Sequence, residues 1–176
     1  MNALRSYVRS LLLEVVAIDA DIFVVLRVFS PDDTREVVFQ GAIDPHTPIG
    51  QGWLRASHRK LDPTLSEEYR PYHSHDEKQP LVPGEIYELD IEIWPTSVVV
   101  PQGYQLAVTI RGCDYEYPGD TGGAKLSNFK NELKGCGPFL HDDPRDRPPA
   151  IFGTNVTIYS GASSPSSVLI PIIPKI

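Results

Sequence analysis

From Asp21 onward apolar and polar residues alternate with a period of two rather than the 3.6 of a helix. Leu89, Ile91 and Ile93 alternate with Glu88, Asp90 and Glu92, which makes a strand with one dry face and one wet face. Leu106, Val108 and Ile110 alternate with Gln105, Thr109 and Arg111 in the same way, and Val156 and Ile158 repeat the pattern briefly. Residues 22–29 are apolar apart from Arg27 and rich in β-branched side chains, as expected of an interior strand covered on both faces. Residues 37–43, 53–58, 98–100 and 168–172 complete a set of about eight short strands.

The punctuation agrees with this reading. Ser30-Pro31-Asp32-Asp33 is a tight-turn composition that joins two strands as a hairpin, and Pro83-Gly84 and Pro101-Gln102-Gly103 each precede an alternating strand. Residues 62–83 and 113–149 are long and irregular, and loops of that length are usually functional or packed against something else. The helical crossovers of an α/β sheet are missing. The expected fold is all-β, a two-sheet jelly-roll β-sandwich of the galactose-binding-like kind.

Composition sharpens the picture without changing it. A chain of 176 residues, 41% hydrophobic and 22% charged, can bury a normal single core. Seventeen prolines and thirteen glycines suit short strands and turns. A formal charge of −7 argues against a nucleic-acid or anionic-membrane partner. With no 18-residue apolar run and a Leu11-Leu12-Leu13 cluster too short for a signal sequence, the expected location is cytoplasmic. The two cysteines, Cys113 and Cys136, are expected to be free thiols, and Asn155-Val156-Thr157, inside a strand, reads as a chance glycosylation sequon.

Two clusters could carry chemistry. In Tyr72-His73-Ser74-His75-Asp76-Glu77, His73, His75 and Glu77 on a strand would share one face and could hold a metal. The spacing fails the metal-binding cupin pattern, which wants a glutamate where Gln79 and Pro80 stand and a histidine where Leu106 stands. An exposed polar loop, its imidazoles touching solvent or carboxylates, accounts for it more simply. In His141-Asp142-Asp143-Pro144-Arg145-Asp146-Arg147, carboxylates beside a histidine suggest acid–base work, but interleaved Asp and Arg with prolines more simply make a rigid, salt-bridged loop. The Gly-x-Ser-x-Gly elbow, the phosphate-cradling loop and the dinucleotide fingerprint are all lacking. Catalytic, cofactor-binding and metal residues are therefore expected to be none.

Many ordered segments resemble one family. Asp19-Ala20-Asp21 through Phe29, Gly50-Gln51-Gly52-Trp53-Leu54-Arg55-Ala56-Ser57-His58-Arg59, Pro83-Gly84-Glu85, Glu92-Ile93-Trp94-Pro95, Gly103-Tyr104-Gln105-Leu106-Ala107, His141-Asp142-Asp143-Pro144 and Leu169-Ile170-Pro171 carry the likeness. They resemble the C-terminal domain of X-Pro dipeptidyl-peptidases and cocaine-esterase-type serine hydrolases, over about residues 19–176. The resemblance implies a non-catalytic jelly roll packed on an α/β-hydrolase domain that carries the Ser–Asp–His triad and that this chain lacks. It carries over no catalytic residue, and it allows homo-oligomers. The other reading is a free-standing jelly-roll module that binds a ligand such as a carbohydrate, with Tyr69, Tyr72, Tyr115 and Tyr117 in the long loops as sugar platforms.

The first eighteen residues depart from the family and are expected to form an extension outside the 19–176 domain. Leu4, Val8, Leu11, Leu12 and Val15 follow a helical spacing and Asn2 could cap it, so a helix is expected over residues 3–15. A sheet position filled in the family would then be empty, leaving an unpaired edge.

Overall fold

Two long strands, each crowded with leucine and β-branched residues, become the centres of two antiparallel sheets. In the computed structural model the chain is described over residues 6–32, 35–41, 43–138, 140–163 and 166–173, with the backbone alone for Ser6 and Tyr7. Strand β1 (Ser6–Val15) pairs along one edge with β5 (Ile86–Ile93). Along its other edge β7 (Val156–Tyr159) takes Leu12 to Val15 and β8 (Ser167–Leu169) takes Tyr7 to Arg9. The second sheet repeats the plan. Its centre β2 (Asp21–Phe29) pairs with β6 (Gln105–Arg111) on one edge, and on the other with β4 (Gly50–Arg55) and the short β3 (Glu36–Val37). These eight strands, among the described residues, form the expected two-sheet β-sandwich.

Strand β1 overturns the expected N-terminal helix, and the empty sheet position with it. Leu11, Leu13 and Val15 alternate inward with period two, but the register slips between Val8 and Leu11. One extra residue is accommodated there as a β-bulge, with Ser10 in the left-handed region at φ 53°. The bulge puts Val8 and Leu11 on the same face although they are three apart, which is the spacing that imitates a helix. Asp90 Oδ1 accepts from the Ser10 amide at 2.9 Å and Glu88 accepts from its hydroxyl at 2.6 Å, so the irregular backbone is satisfied. Opposite the bulge, the Ser166 hydroxyl bridges the gap between β7 and β8 by donating to the Tyr159 and Ser10 carbonyls. Asn2 and Leu4 lie outside the described residues.

Three other expected strands are shorter. Pairing after the Ser30 turn stops at Val37, because the chain folds into a tight turn in which Gly41 donates to the Asp44 carbonyl. The 53–58 segment leaves the sheet at Arg55 and closes into a 3-10 turn, Ala56–His58. Residues 170–172 lie beyond β8. Residues 98–100 form no strand: they run exposed between Pro95 and Pro101 without a ladder partner.

The core between the sheets is made by Val8, Leu11, Leu13 and Val15 of β1, Ile22 and Val24 of β2, Leu54 of β4, and Leu89, Ile91 and Ile93 of β5. Each such side chain withdrawn from water contributes roughly 1.5–3 kcal/mol. The outer face of β2 is dry as well, because the loop after β6 folds over it. Tyr115 of that loop is buried there, and the Arg27 guanidinium lies 4.8 Å from the Phe29 ring centre and 5.8 Å from that of Tyr115. Arg27 is tolerated in this strand because it forks onto Glu36 at 2.8 and 2.7 Å. Asp44 pins the loop from below, accepting from the Gly135 and Gly137 amides at 2.7 and 2.9 Å. Cys113 and Cys136 are free, and burial pushes the Cys136 thiol up to about 12.

Candidate functional site

Where β4 and β5 meet, the two sheets close on one another. The Trp94 amide, one residue past β5, donates to the Gln51 carbonyl of β4 at 3.0 Å. Gly52 permits the approach: a Cβ there would sit 1.8 Å from the Glu92 carbonyl oxygen. Trp53 is thereby turned outward beside Trp94, with ring centres 5.0 Å apart and planes tilted by 50°. Both remain open to solvent, at 38% and 56% exposure. They line a cleft of about 520 Å3 that also takes in His58, His73, His75, His141, Glu92 and an ion-paired wall.

That wall is built from the two ends of the chain's polar motifs. Arg55 donates to both carboxylate oxygens of Asp21 at 2.9 and 3.1 Å and to both of Asp146 at 3.0 Å. Asp21 first, and then Asp146, hold the guanidinium more firmly protonated than usual. Phe152, on the short helix α1 (Pro149–Phe152), packs its ring 4.6 Å from the same group. Arg147 reaches Asp146 at 2.5 Å and brings Nε to 2.6 Å from Asp21, without the N–H alignment of a hydrogen bond. Behind this wall Asp19 is buried and accepts from the Ser57 amide and hydroxyl at 3.0 and 2.7 Å. The Asp19-Ala20-Asp21 and Arg55-Ala56-Ser57 motifs are thus two halves of one buried polar clasp.

The histidine cluster differs from its sequence reading. His75 sits in the left-handed region at φ 52°, which breaks any shared strand face. Its Nδ1 meets Nδ1 of His58 at 3.2 Å, and its ring centre is 6.0 Å from that of His73. Imidazoles expected to touch solvent or carboxylates therefore touch each other. Glu77 turns aside to Lys60 at 3.5 Å. Among the described residues no group of three His, Cys, Asp or Glu side chains is arranged to hold a metal ion. Burial first, and the neighbouring His75 second, push the His73 pKa down to about 4, and its Nε2 is buried without a partner. Burial and then His75 also lower His58.

In the second cluster, His141 ignores its sequence neighbours and pairs with Asp114, 2.8 Å from Nδ1. Its ring packs at 4.9 Å on Trp53 and 5.5 Å on Phe23. Asp143 and Arg145 form the local surface pair expected of that loop, at 2.6 Å. The loop tyrosines do not converge. Tyr69 and Tyr72 are exposed, Tyr115 is buried, Tyr117 stacks on His46 at 4.9 Å, and none of the four lines the cleft. The aromatic residues that do meet in the cleft are Trp53 and Trp94, a pair that sequence reasoning missed. The available signal was a Trp at an outward position of β4 and another just past the last inward residue of β5.

Residues 10–168 match the model of the X-Pro dipeptidyl-peptidase C-terminal non-catalytic domain. The chain belongs to that family. Proteins of Mycobacterium bovis and Mycobacterium tuberculosis, both provisionally named serine esterases, are 33% identical over 84 residues, covering 44% of this chain and 13% of theirs. Two crystal structures of a CocE/NonD family hydrolase from Staphylococcus aureus superpose with TM-scores of 0.73 at 23% and 24% identity. They cover 97% and 98% of this chain and 28% of the hydrolase chain. The chain thus shares its β-sandwich with one part of a much longer protein, and the stretch that matches the mycobacterial relatives covers about an eighth of their length.

Proposed function

We propose that the chain works as the accessory C-terminal domain of a serine hydrolase, packed on an α/β-hydrolase domain that supplies the nucleophile, base and orienting carboxylate. The observation that carries this reading is the family match over residues 10–168, beside a superposition in which nearly the whole chain covers only 28% of a hydrolase chain. The surface supports it. Val98, Val99 and Val100 are exposed, and Leu106 and Ile110 of β6 stay partly open on a strand that alternation would have buried. Apolar surface of that kind is what a covering domain would remove from water. The serines point the same way. Ser30 and Ser57, the buried serines among the described residues, donate to Asp32 and Asp19, so their hydroxyls serve the fold. We also place the start of the domain at β1, whose pairing holds the first sheet together, rather than at residue 19.

The test is a graft. Replacing the corresponding part of the S. aureus hydrolase with this chain should give a soluble chimera that hydrolyses p-nitrophenyl esters within about tenfold of the parent. The chain alone should show no hydrolysis above buffer. Stoichiometric labelling of the isolated chain by a fluorophosphonate probe overturns the reading, and so does a chimera no more active or soluble than the truncated hydrolase.

A further inference from the structure

The cleft holds two partly exposed tryptophans in a wall whose charges are already matched, and this pairing selects a ligand class. Arg55 is divided between Asp21 and Asp146, and Arg147 lies against the same two carboxylates, so the two cations and two anions cancel. Glu92 has a partner of its own. A phosphate or carboxylate ligand would have to strip a guanidinium from its carboxylates, and a cationic ligand would have to strip a carboxylate from its arginines. Either exchange costs about what it returns. What the cleft offers freely is indole surface, ringed by imidazole and guanidinium hydrogen-bonding groups.

A pyranose ring matches that offer. It is uncharged, its C–H face can lie on an indole, and the hydroxyls around its rim both donate and accept. The cleft volume of about 520 Å3 falls within the range of roughly 300–1,000 Å3 usual for small-ligand sites. Its open form suits a short chain of sugars better than an engulfed monomer. We infer that this cleft, with Trp53 and Trp94 as its platform and Arg55, His58 and His141 at its rim, is a binding site for a neutral oligosaccharide. The assignment does not rest on the accessory role proposed above.

The chain contains two tryptophans and both line the cleft, so intrinsic tryptophan fluorescence reports on this site alone. The full chain would be titrated with maltotriose, cellotriose, xylotriose, mannotriose and galactotriose, and in parallel with inorganic phosphate and choline chloride. Millimolar affinity corresponds to about −4 kcal/mol, so the series should reach tens of millimolar. The expected result is a saturable response to at least one trisaccharide and none to phosphate or choline. Trp94→Ala, at an exposed position one residue past β5, should keep the far-ultraviolet circular dichroism and weaken binding at least about tenfold, a loss of about 1.4 kcal/mol. Trp94→Tyr should restore part of it. No saturable response to any of the five sugars overturns the assignment, as does a stronger response to phosphate or choline, or unchanged binding by Trp94→Ala. The chimera with the S. aureus hydrolase gives a further check. If its sugar response is lost while hydrolysis is retained, the cleft is a buried domain interface: the sugar assignment fails and the accessory role survives.

Discussion

His58 and His75 face each other through Nδ1 atoms 3.2 Å apart, although seventeen residues separate them in the chain. One ring must be the neutral acceptor in such a pair, so the contact survives at most one proton. His73 lies beside them, with Lys78, Arg55 and Asp19 the other charged groups acting on His58. The cluster fastens the 59–80 loop to the 3-10 turn after β4.

Acid should therefore loosen the domain. The folded state keeps His73 neutral down to about 4, while the unfolded chain takes up the proton near 6.5. Stability is then full above 6.5 and falls as the pH drops through that window, because the unfolded state binds the proton first. The full shift converts to about 3 kcal/mol, and partial exposure of the ring reduces the expected loss to about 1–2 kcal/mol. Urea titrations at pH 7, 5.5 and 4.5 would measure it. His73→Leu should flatten the curve, since it removes the titrating group together with the unpartnered Nε2. A variant curve as steep as the parent's would assign the acid sensitivity elsewhere.

Asp21 should matter more than its exposed counterpart across Arg55. Asp21→Asn leaves two guanidinium groups sharing Asp146 alone, with Arg55 largely buried, and is expected to cost about 2–3 kcal/mol in urea unfolding. Asp146→Asn removes a carboxylate that is half exposed and is expected to cost about 1 kcal/mol or less. Equal losses would mean that the network is solvated throughout.

Gly52 is the point where substitution should be least tolerated. The atom blocking a Cβ is the Glu92 backbone carbonyl, which cannot swing away as a flexible side chain would. Gly52→Ala must part the Gln51–Trp94 hydrogen bond and spread the two sheets, at a cost of about 3 kcal/mol or more. Because Trp53 is the next residue, the same change should shift the tryptophan emission maximum in the folded protein. Unchanged emission with unchanged stability would contradict the close approach.

The sandwich was legible wherever alternation ran unbroken. Strands β2, β5 and β6 follow from their apolar spacing to within two residues at each end. Strand β1 was hidden because its bulge at Ser10 puts Val8 and Leu11 three apart on one face, and a bulge leaves no mark in composition. The candidate site was hidden for another reason. Its contacts, such as His141 with Asp114 or Arg55 with Asp146, join residues 27 and 91 apart in the chain. They exist only after loop closure has brought those residues together.

Residues 98–100 are the instructive failure. Three consecutive valines have the strongest local preference for a strand, yet here they run exposed between two prolines, Val99 at 87%. Side-chain preference cannot make a strand without a neighbouring backbone to pair with. An apolar segment without a ladder partner favours association with another surface, through its backbone groups or its side chains. In the isolated chain the available surface is a second copy, so sedimentation velocity should show association that increases with concentration. Val98→Thr with Val99→Thr and Val100→Thr keeps the β-branched shape while removing much of the apolar area. That triple variant should shift the chain toward monomer and leave the melting temperature within a few degrees, because these side chains contribute little to the core. A parent chain that sediments as a monomer at high concentration, or a triple variant that associates as strongly, would show that the valines are not the surface responsible.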